Sequence, residues 1–184
     1  MALTYSKENL IGTKAPDFNL PGVDGKHYSL KGLLHNQHGV VVMFICNHCP
    51  YVVAHQDRLI ALAHTYQKNG FQFVGINSND ETNYPDDSFD NMVKVAKQKD
   101  YPFPYLRDKD QTAAKAYDAV CTPEIYLVDY EGKIRYHGGI DDNWKEPDKA
   151  TKHYLKNAIE DIHAGRPVKE PTPHAMGCSI KWAA

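Results

Sequence analysis

The chain has 184 residues, enough for one domain with its own core and too few for two large ones. Hydrophobic residues make up 42 % and charged residues 24 %, an ordinary globular composition, and a net charge of −2 offers no general attraction for nucleic acid or a membrane surface. No apolar run is long enough to span a bilayer, and the first eight residues lack the charged-then-apolar pattern of a secretory leader, so a cytoplasmic location is expected.

In chain order, Ala15 to Leu20 alternates apolar and polar residues like a short strand. Pro21-Gly22 and Asp24-Gly25 mark turns, and Tyr28 to Leu30 is the returning strand of an N-terminal β-hairpin. Val40 to Ile45 (VVVMFI) is continuously apolar and rich in branched residues, as in a central strand buried on both faces. Asn47 to Lys68 reads as a helix, with Val53, Leu59, Ile60, Leu62, Ala63 and Tyr66 at helical spacing and Asn69-Gly70 as its stop. Phe71 to Ile76 is a second buried strand, which makes a β–α–β unit with parallel pairing.

Residues 77–88 are polar and read as a loop. Phe89 to Lys99 and Thr112 to Tyr117 read as helices. Glu124 to Val128 and Lys133 to His137 flank a turn at 129–132 and form a hairpin. Lys149 to His163 is a final helix with Tyr154, Leu155, Ala158, Ile159 and Ile162 on one face. The expected organisation is a domain over 1–165 and an extended, docked tail over 166–184, with Ile180 and Trp182 against an apolar surface. The fold class is α/β, a central mixed sheet flanked by helices.

Cys46-Asn47-His48-Cys49 is a CxxC placed where a buried strand gives way to a helix. A helix N-terminus offers unsatisfied N–H groups and partial positive charge, both favouring the thiolate that attacks disulfides. Of two cysteines at such a turn, one attacks a partner disulfide and the other resolves the mixed disulfide. A protonated His48 stabilises a Cys46 thiolate, and Pro50 fits the first helical turn. A zinc site needs two further ligands, and no second CxxC or HxxxH supplies them. Covalent haem attachment needs His where Pro50 stands.

Cys121-Thr122-Pro123-Glu124 precedes the strand EIYLV. A proline entering a central strand removes a ladder donor, which is sensible if the Thr122–Pro123 bond is cis beside the active site; an ordinary trans proline ending a loop is the alternative. Cys121 is either a buried small hydrophobe or a further redox thiol. Cys178 folds back as a resolving thiol, pairs with another chain, or stays a thiol. Asp86-Asp87 and Asp141-Asp142 read as solvated acidic pairs, and His55 and His64 as surface or packing residues. A buried carboxylate beneath the CxxC is not identifiable, Asp17 being the conceivable one.

A CxxC after a buried strand, followed by Thr-Pro before a later strand and hairpin, resembles the thioredoxin superfamily over Ala15 to His163. Gly12 to Phe18 (GTKAPDF) is similar to the opening of peroxiredoxins and the AhpC/TSA group. Cys46 to Val52 with the tail Gly177 to Trp182 resembles a peroxiredoxin-like, CxxC-containing subgroup.

The resemblance implies a thioredoxin-like fold and a thiol–disulfide oxidoreductase in which Cys46 attacks and Cys49 resolves. Thr122-Pro123 then shapes a groove for an extended partner. It also implies an alternative, a thiol peroxidase and antioxidant with Cys49 as the peroxidatic thiol. The Pro, Thr and Arg of that chemistry are replaced here by Val42, Cys46 and Pro123. A third reading is a non-catalytic copper or zinc carrier using Cys46, Cys49 and a histidine. Otherwise no metal or cofactor is expected. The expected partners are disulfide-containing proteins, or small thiol or peroxide substrates, and an electron-donating reductant, with no nucleic acid or membrane.

Overall fold

A computed structural model describes residues 3–6 and 10–183, so the expectations for 1, 2, 7–9 and 184 lie outside the described residues. In chain order the elements are β1 (Leu3–Tyr5), β2 (Asn19–Pro21), β3 (His27–Ser29), α1 (Leu30–Leu34), β4 (Gly39–Phe44), α2 (Pro50–Tyr66), β5 (Phe71–Asn77), α3 (Phe89–Gln98), β6 (Tyr105–Arg107), α4 (Thr112–Ala116), β7 (Cys121–Thr122), β8 (Glu124–Asp129), β9 (Ile134–Gly138), α5 (Tyr154–His163) and β10 (Met176–Ser179).

Five strands form the central sheet in the order β6-β5-β4-β8-β9. β4 runs parallel to β5 and antiparallel to β8, so the sheet is mixed, as expected. β4 is fully buried along its length because helices cover both faces. Val41 and Met43 pack on one side with Leu59 of α2, Met92 of α3 and Leu155 of α5. Val40, Val42 and Phe44 pack on the other with Leu30 of α1 and Ala114 of α4. That alternation is the two-residue period of a strand read into two separate cores.

Several boundaries differ from those the sequence suggests. α2 begins at Pro50, not Asn47, because a proline at the first helical position holds the residue before it extended; Cys49 has ψ 122°. The buried stripe of α2 is Val52, His55, Gln56, Leu59, Ala63 and Tyr66, and Val53 is exposed. Leu30 starts α1 rather than ending a strand, because Ser29 caps it by accepting from Gly32 N–H. α5 starts at Tyr154, since the Asp142 carboxylate takes the N–H groups of Thr151 and Lys152 and keeps that stretch out of the helix.

The final stretch returns along the molecule. Pro171 and Pro173 accept from His137 and Gly139 N–H at the edge of β9. β10 then lies between β1 and β7 in a small antiparallel sheet. Ile180 is buried, whereas Trp182 is exposed with Lys115 Nζ 5.9 Å from its ring, so the tail docks through Ile180 alone of that pair. Among the described residues no helix is long and apolar enough to cross a membrane.

Candidate active site

The register of β4 against β8 builds the site. Phe44 pairs with Glu124. Two residues past that pair on one strand, and two before it on the other, Cys46 meets Thr122. Cys46 Sγ lies 3.3 Å from Thr122 Oγ1, and Cys49 Sγ lies 3.2 Å from the Thr122 carbonyl oxygen. The Thr122–Pro123 peptide is cis. Both thiols are buried, Cys46 2 % and Cys49 0 % exposed.

Among the described residues no cysteine is joined in a disulfide, and the four gather in one neighbourhood. Cys46 and Cys49 are neighbours whose titrations act on each other in opposite directions. The neighbouring Cys46 thiol lowers the Cys49 pKa to about 5, burial opposes that, and Cys178 and backbone N–H groups including that of Val52 add to it. Cys46 is pushed up by Cys49, by burial and by the nearby Asp87 carboxylate, with Thr122 opposing. Cys49 Sγ stands 2.8 Å from Cys178 Sγ, and burial followed by the neighbouring Cys49 pushes Cys178 up to about 12.

Asp87 is the residue that sequence reasoning missed. It is fully buried, not solvated, and its carboxylate fastens the CxxC loop. Asn47 N–H donates to it at 2.7 Å and Asn79 Nδ2 at 2.7 Å, and His48 Nδ1 stands 2.6 Å away. Tyr105 donates to Asn47 Oδ1 at 2.9 Å, and Asn47 Nδ2 donates to the Asp86 carbonyl. His48 thus turns to Asp87, and its ring stacks on Tyr84 at 5.9 Å. Pro50 occupies the start of α2.

On the far side of Thr122, Glu124 is also fully buried. It accepts from Val120 and Cys121 N–H, from Tyr126 OH and from His137 at 2.6 Å. The Cys121 thiol points at the same carboxylate, 3.5 Å away, and burial with that charge pushes its pKa up. The signal for Glu124 was present in the sequence, a carboxylate inside an otherwise apolar strand.

Other expectations fall elsewhere. Asp17 is exposed and holds the N-terminus of α1 through Leu30 N–H, so it is no acceptor for the thiols. Asp141 is not solvated but buried between His55 and Arg58, and His55 is buried with it; His64 is exposed. Buried Arg107 donates to the Asn79 carbonyl at 2.8 Å and so serves the 77–88 loop. Among the described residues, the donors that could form a metal set are Cys46, His48 and Asp87, within 4.8 Å of one another, with Asp87 where the carrier reading places Cys49. The Asp87 oxygens are already engaged by amide donors.

The chain is similar to known proteins along most of its length. Thiol-disulfide oxidoreductase ResA of Bacillus cereus is 30 % identical over 132 residues, 71 % of this chain and 71 % of that protein. The crystal structure of an uncharacterized conserved protein from Geobacillus kaustophilus superposes with a TM-score of 0.92 at 43 % identity, covering 100 % of this chain and 97 % of that one. Peroxidoxin BcpB of Mycobacterium tuberculosis shares the fold, with a TM-score of 0.67 at 19 % identity over 86 % of this chain and 99 % of its own. The architecture is therefore thioredoxin-like. The AhpC/TSA family model matches residues 11–137, and the chain belongs to that family.

Proposed function

We propose that the protein is a thiol–disulfide oxidoreductase of the thioredoxin type whose working pair is Cys46 and Cys49. The similarity to ResA supports an oxidoreductase in general terms. The observation that carries the finer reading is the placement of the dithiol itself: both sulfurs lie just before α2 and both touch Thr122 beside Pro123, Cys46 Sγ at its hydroxyl and Cys49 Sγ at its carbonyl oxygen.

The steps follow from that placement. Cys46 adjoins the part-exposed His48 and Tyr84, which is the side from which a substrate disulfide arrives. As Cys46 attacks, its proton passes to Cys49. A bond forms from Cys46 to one substrate sulfur, and the other leaves as a thiolate that takes the proton from Cys49. The Cys49 thiolate then attacks Cys46 Sγ, closes the Cys46–Cys49 disulfide and expels the second substrate thiolate. A thiol reductant returns the pair to its starting state. The substrates in this reading are disulfide-bearing proteins or small disulfides, in a reducing compartment such as the cytoplasm.

The test is a disulfide-reductase assay with a redox titration on wild type and Cys46→Ser. Turnover is expected to vanish in the variant, and unchanged turnover overturns the mechanism. The lowered Cys49 pKa is what the peroxidase alternative would use, but Val42, Cys46 and Pro123 stand where that chemistry places its Pro, Thr and Arg, and in the Cys46, His48 and Asp87 cluster Asp87 takes the place the carrier reading gives Cys49.

A further inference from the structure

We propose that Cys178 is a third redox thiol, carried on an internal substrate-like strand, that draws the disulfide from Cys46–Cys49 onto Cys49–Cys178. The inference rests on the CxxC reading above.

Geometry carries it. Cys178 Sγ is 2.8 Å from Cys49 Sγ, and an S–S bond of about 2.05 Å needs only a further ~0.8 Å of approach. Two ladders fix Cys178 there. β10 pairs with β7 so that Cys178 faces Thr122 and Ser179 faces Cys121, and it pairs with β1 so that Cys178 faces Leu3. The strand therefore runs antiparallel to the residues before Pro123, along the edge an extended partner would otherwise take.

Gly177 permits this approach. A Cβ at that position would stand 2.1 Å from the Thr122 carbonyl oxygen and 3.1 Å from Pro123 N, so any side chain lifts the strand. Past Cys178 the chain is pinned again. Ile180 N–H donates to Val120, and Lys181 N–H donates to Asn79 Oδ1 at 2.8 Å, the same Asn79 that holds Asp87. Gln111 Nε2 donates to the Lys181 carbonyl. The C-terminal end of the strand is thus tied, through Asn79, to the residues that set the CxxC loop.

The step is an isomerisation and consumes no oxidant of its own. Starting from the Cys46–Cys49 disulfide, Cys178 gives up its proton and its sulfur attacks Cys49 Sγ. The Cys49–Cys178 bond forms and the Cys46–Cys49 bond breaks. The electron pair leaves on Cys46 Sγ, which takes up the proton. Cys46 is then available again as a thiol while the oxidising equivalent waits on the buried strand. Cys49 is the sulfur common to both bonds, as its place between Cys46 and Cys178 requires.

The experiment is disulfide mapping of the full chain. Wild type, Cys46→Ser and Gly177→Ala are oxidised with oxidised glutathione, alkylated at low pH to trap remaining thiols, digested and analysed by mass spectrometry. A Cys49–Cys178 peptide is expected in wild type beside Cys46–Cys49. It becomes the sole intramolecular linkage in Cys46→Ser and is lost in Gly177→Ala, which keeps every thiol. Alkylated Cys178 in both wild type and Cys46→Ser, or Cys178 paired between chains, overturns the inference. The Cys46–Cys49 peptide in wild type reports separately: its presence leaves the CxxC reading standing when Cys178 fails, and the absence of both linkages removes that reading.

Discussion

Two buried carboxylates flank the thiols, and they do opposite work. Asp87 comes from the polar 77–88 loop and Glu124 from the first residue of β8; both are 0 % exposed. Asp87 reaches only part-exposed or polar neighbours, Asn47, His48 and Asn79, and its charge bears on Cys46. Glu124 is enclosed by Val120, Cys121, Tyr126 and His137, and its charge bears on Cys121. The two charges thus bear on different thiols: Asp87 raises Cys46, which neighbours Cys49, and Glu124, with burial, raises the fully buried Cys121.

Breaking the enclosed side carries the largest cost. Glu124→Ala leaves His137, Tyr126 OH and two backbone N–H groups without their acceptor, and each buried group left unsatisfied costs about 1–3 kcal/mol. Thermal unfolding is expected to drop by on the order of 10 °C for a chain of this size. Glu124→Gln keeps the shape and tests the charge alone. Burial raises the Glu124 pKa, but the hydrogen bonds from His137, Val120 and Cys121 outweigh it and hold the group below its ordinary 4.5. A carboxylate depressed on folding stabilises the fold above its unfolded pKa and stops doing so as pH falls through the folded value. Denaturant titrations from pH 6 downward should show this acid-side loss in wild type and a flatter profile in Glu124→Gln; identical slopes would count against the charge.

The same contrast explains what the sequence made legible. VVVMFI and FQFVGI announce their strands because burial on both faces writes a continuous apolar run. The CxxC and Thr122-Pro123 stand out because their residue types have few other uses. β10 is silent: Met176 to Ser179 has no strand pattern, and its partners Leu3 and Thr122 are far away in the chain. β6 hides behind Pro102 and Pro104, and its pairing with β5 and its bridge to Gly22 define it. Asp87 is indistinguishable from a solvated aspartate until the loop folds over Asn79, because its value lies in amide donors that local sequence cannot position. Glu124 was there to be read, since an acid in a buried strand demands a partner.

Breaking the open side is expected to move chemistry more than stability. Asp87→Asn keeps an acceptor for Asn47 N–H but sets an amide against Asn79 Nδ2, at a cost of about 1–3 kcal/mol. Its clearer signature is at Cys46. Withdrawing a neighbouring negative charge lowers a thiol pKa. Alkylation of Cys46 by iodoacetamide, followed by mass spectrometry across pH, should shift to lower pH in Asp87→Asn. A shift upward, or none, would show that Asp87 is purely structural.

Thr122 stands between the two carboxylates and allows the finest cut. Its hydroxyl touches Cys46, while its carbonyl touches Cys49. Thr122→Val deletes the first contact and leaves the second, which belongs to the backbone. The hydroxyl lowers the Cys46 pKa, so its loss should move Cys46 alkylation to higher pH, opposite in direction to Asp87→Asn. Stability should change by only about 1 kcal/mol, the net worth of one hydrogen bond. Cys49 should keep its behaviour, because the Cys46 thiol, Cys178 and the N-terminus of α2 still surround it. Should Cys49 move as far as Cys46 in this variant, the proton would be held by the pair as a unit, and the separate effects of Thr122 and Asp87 on Cys46 would have to be read on the pair instead.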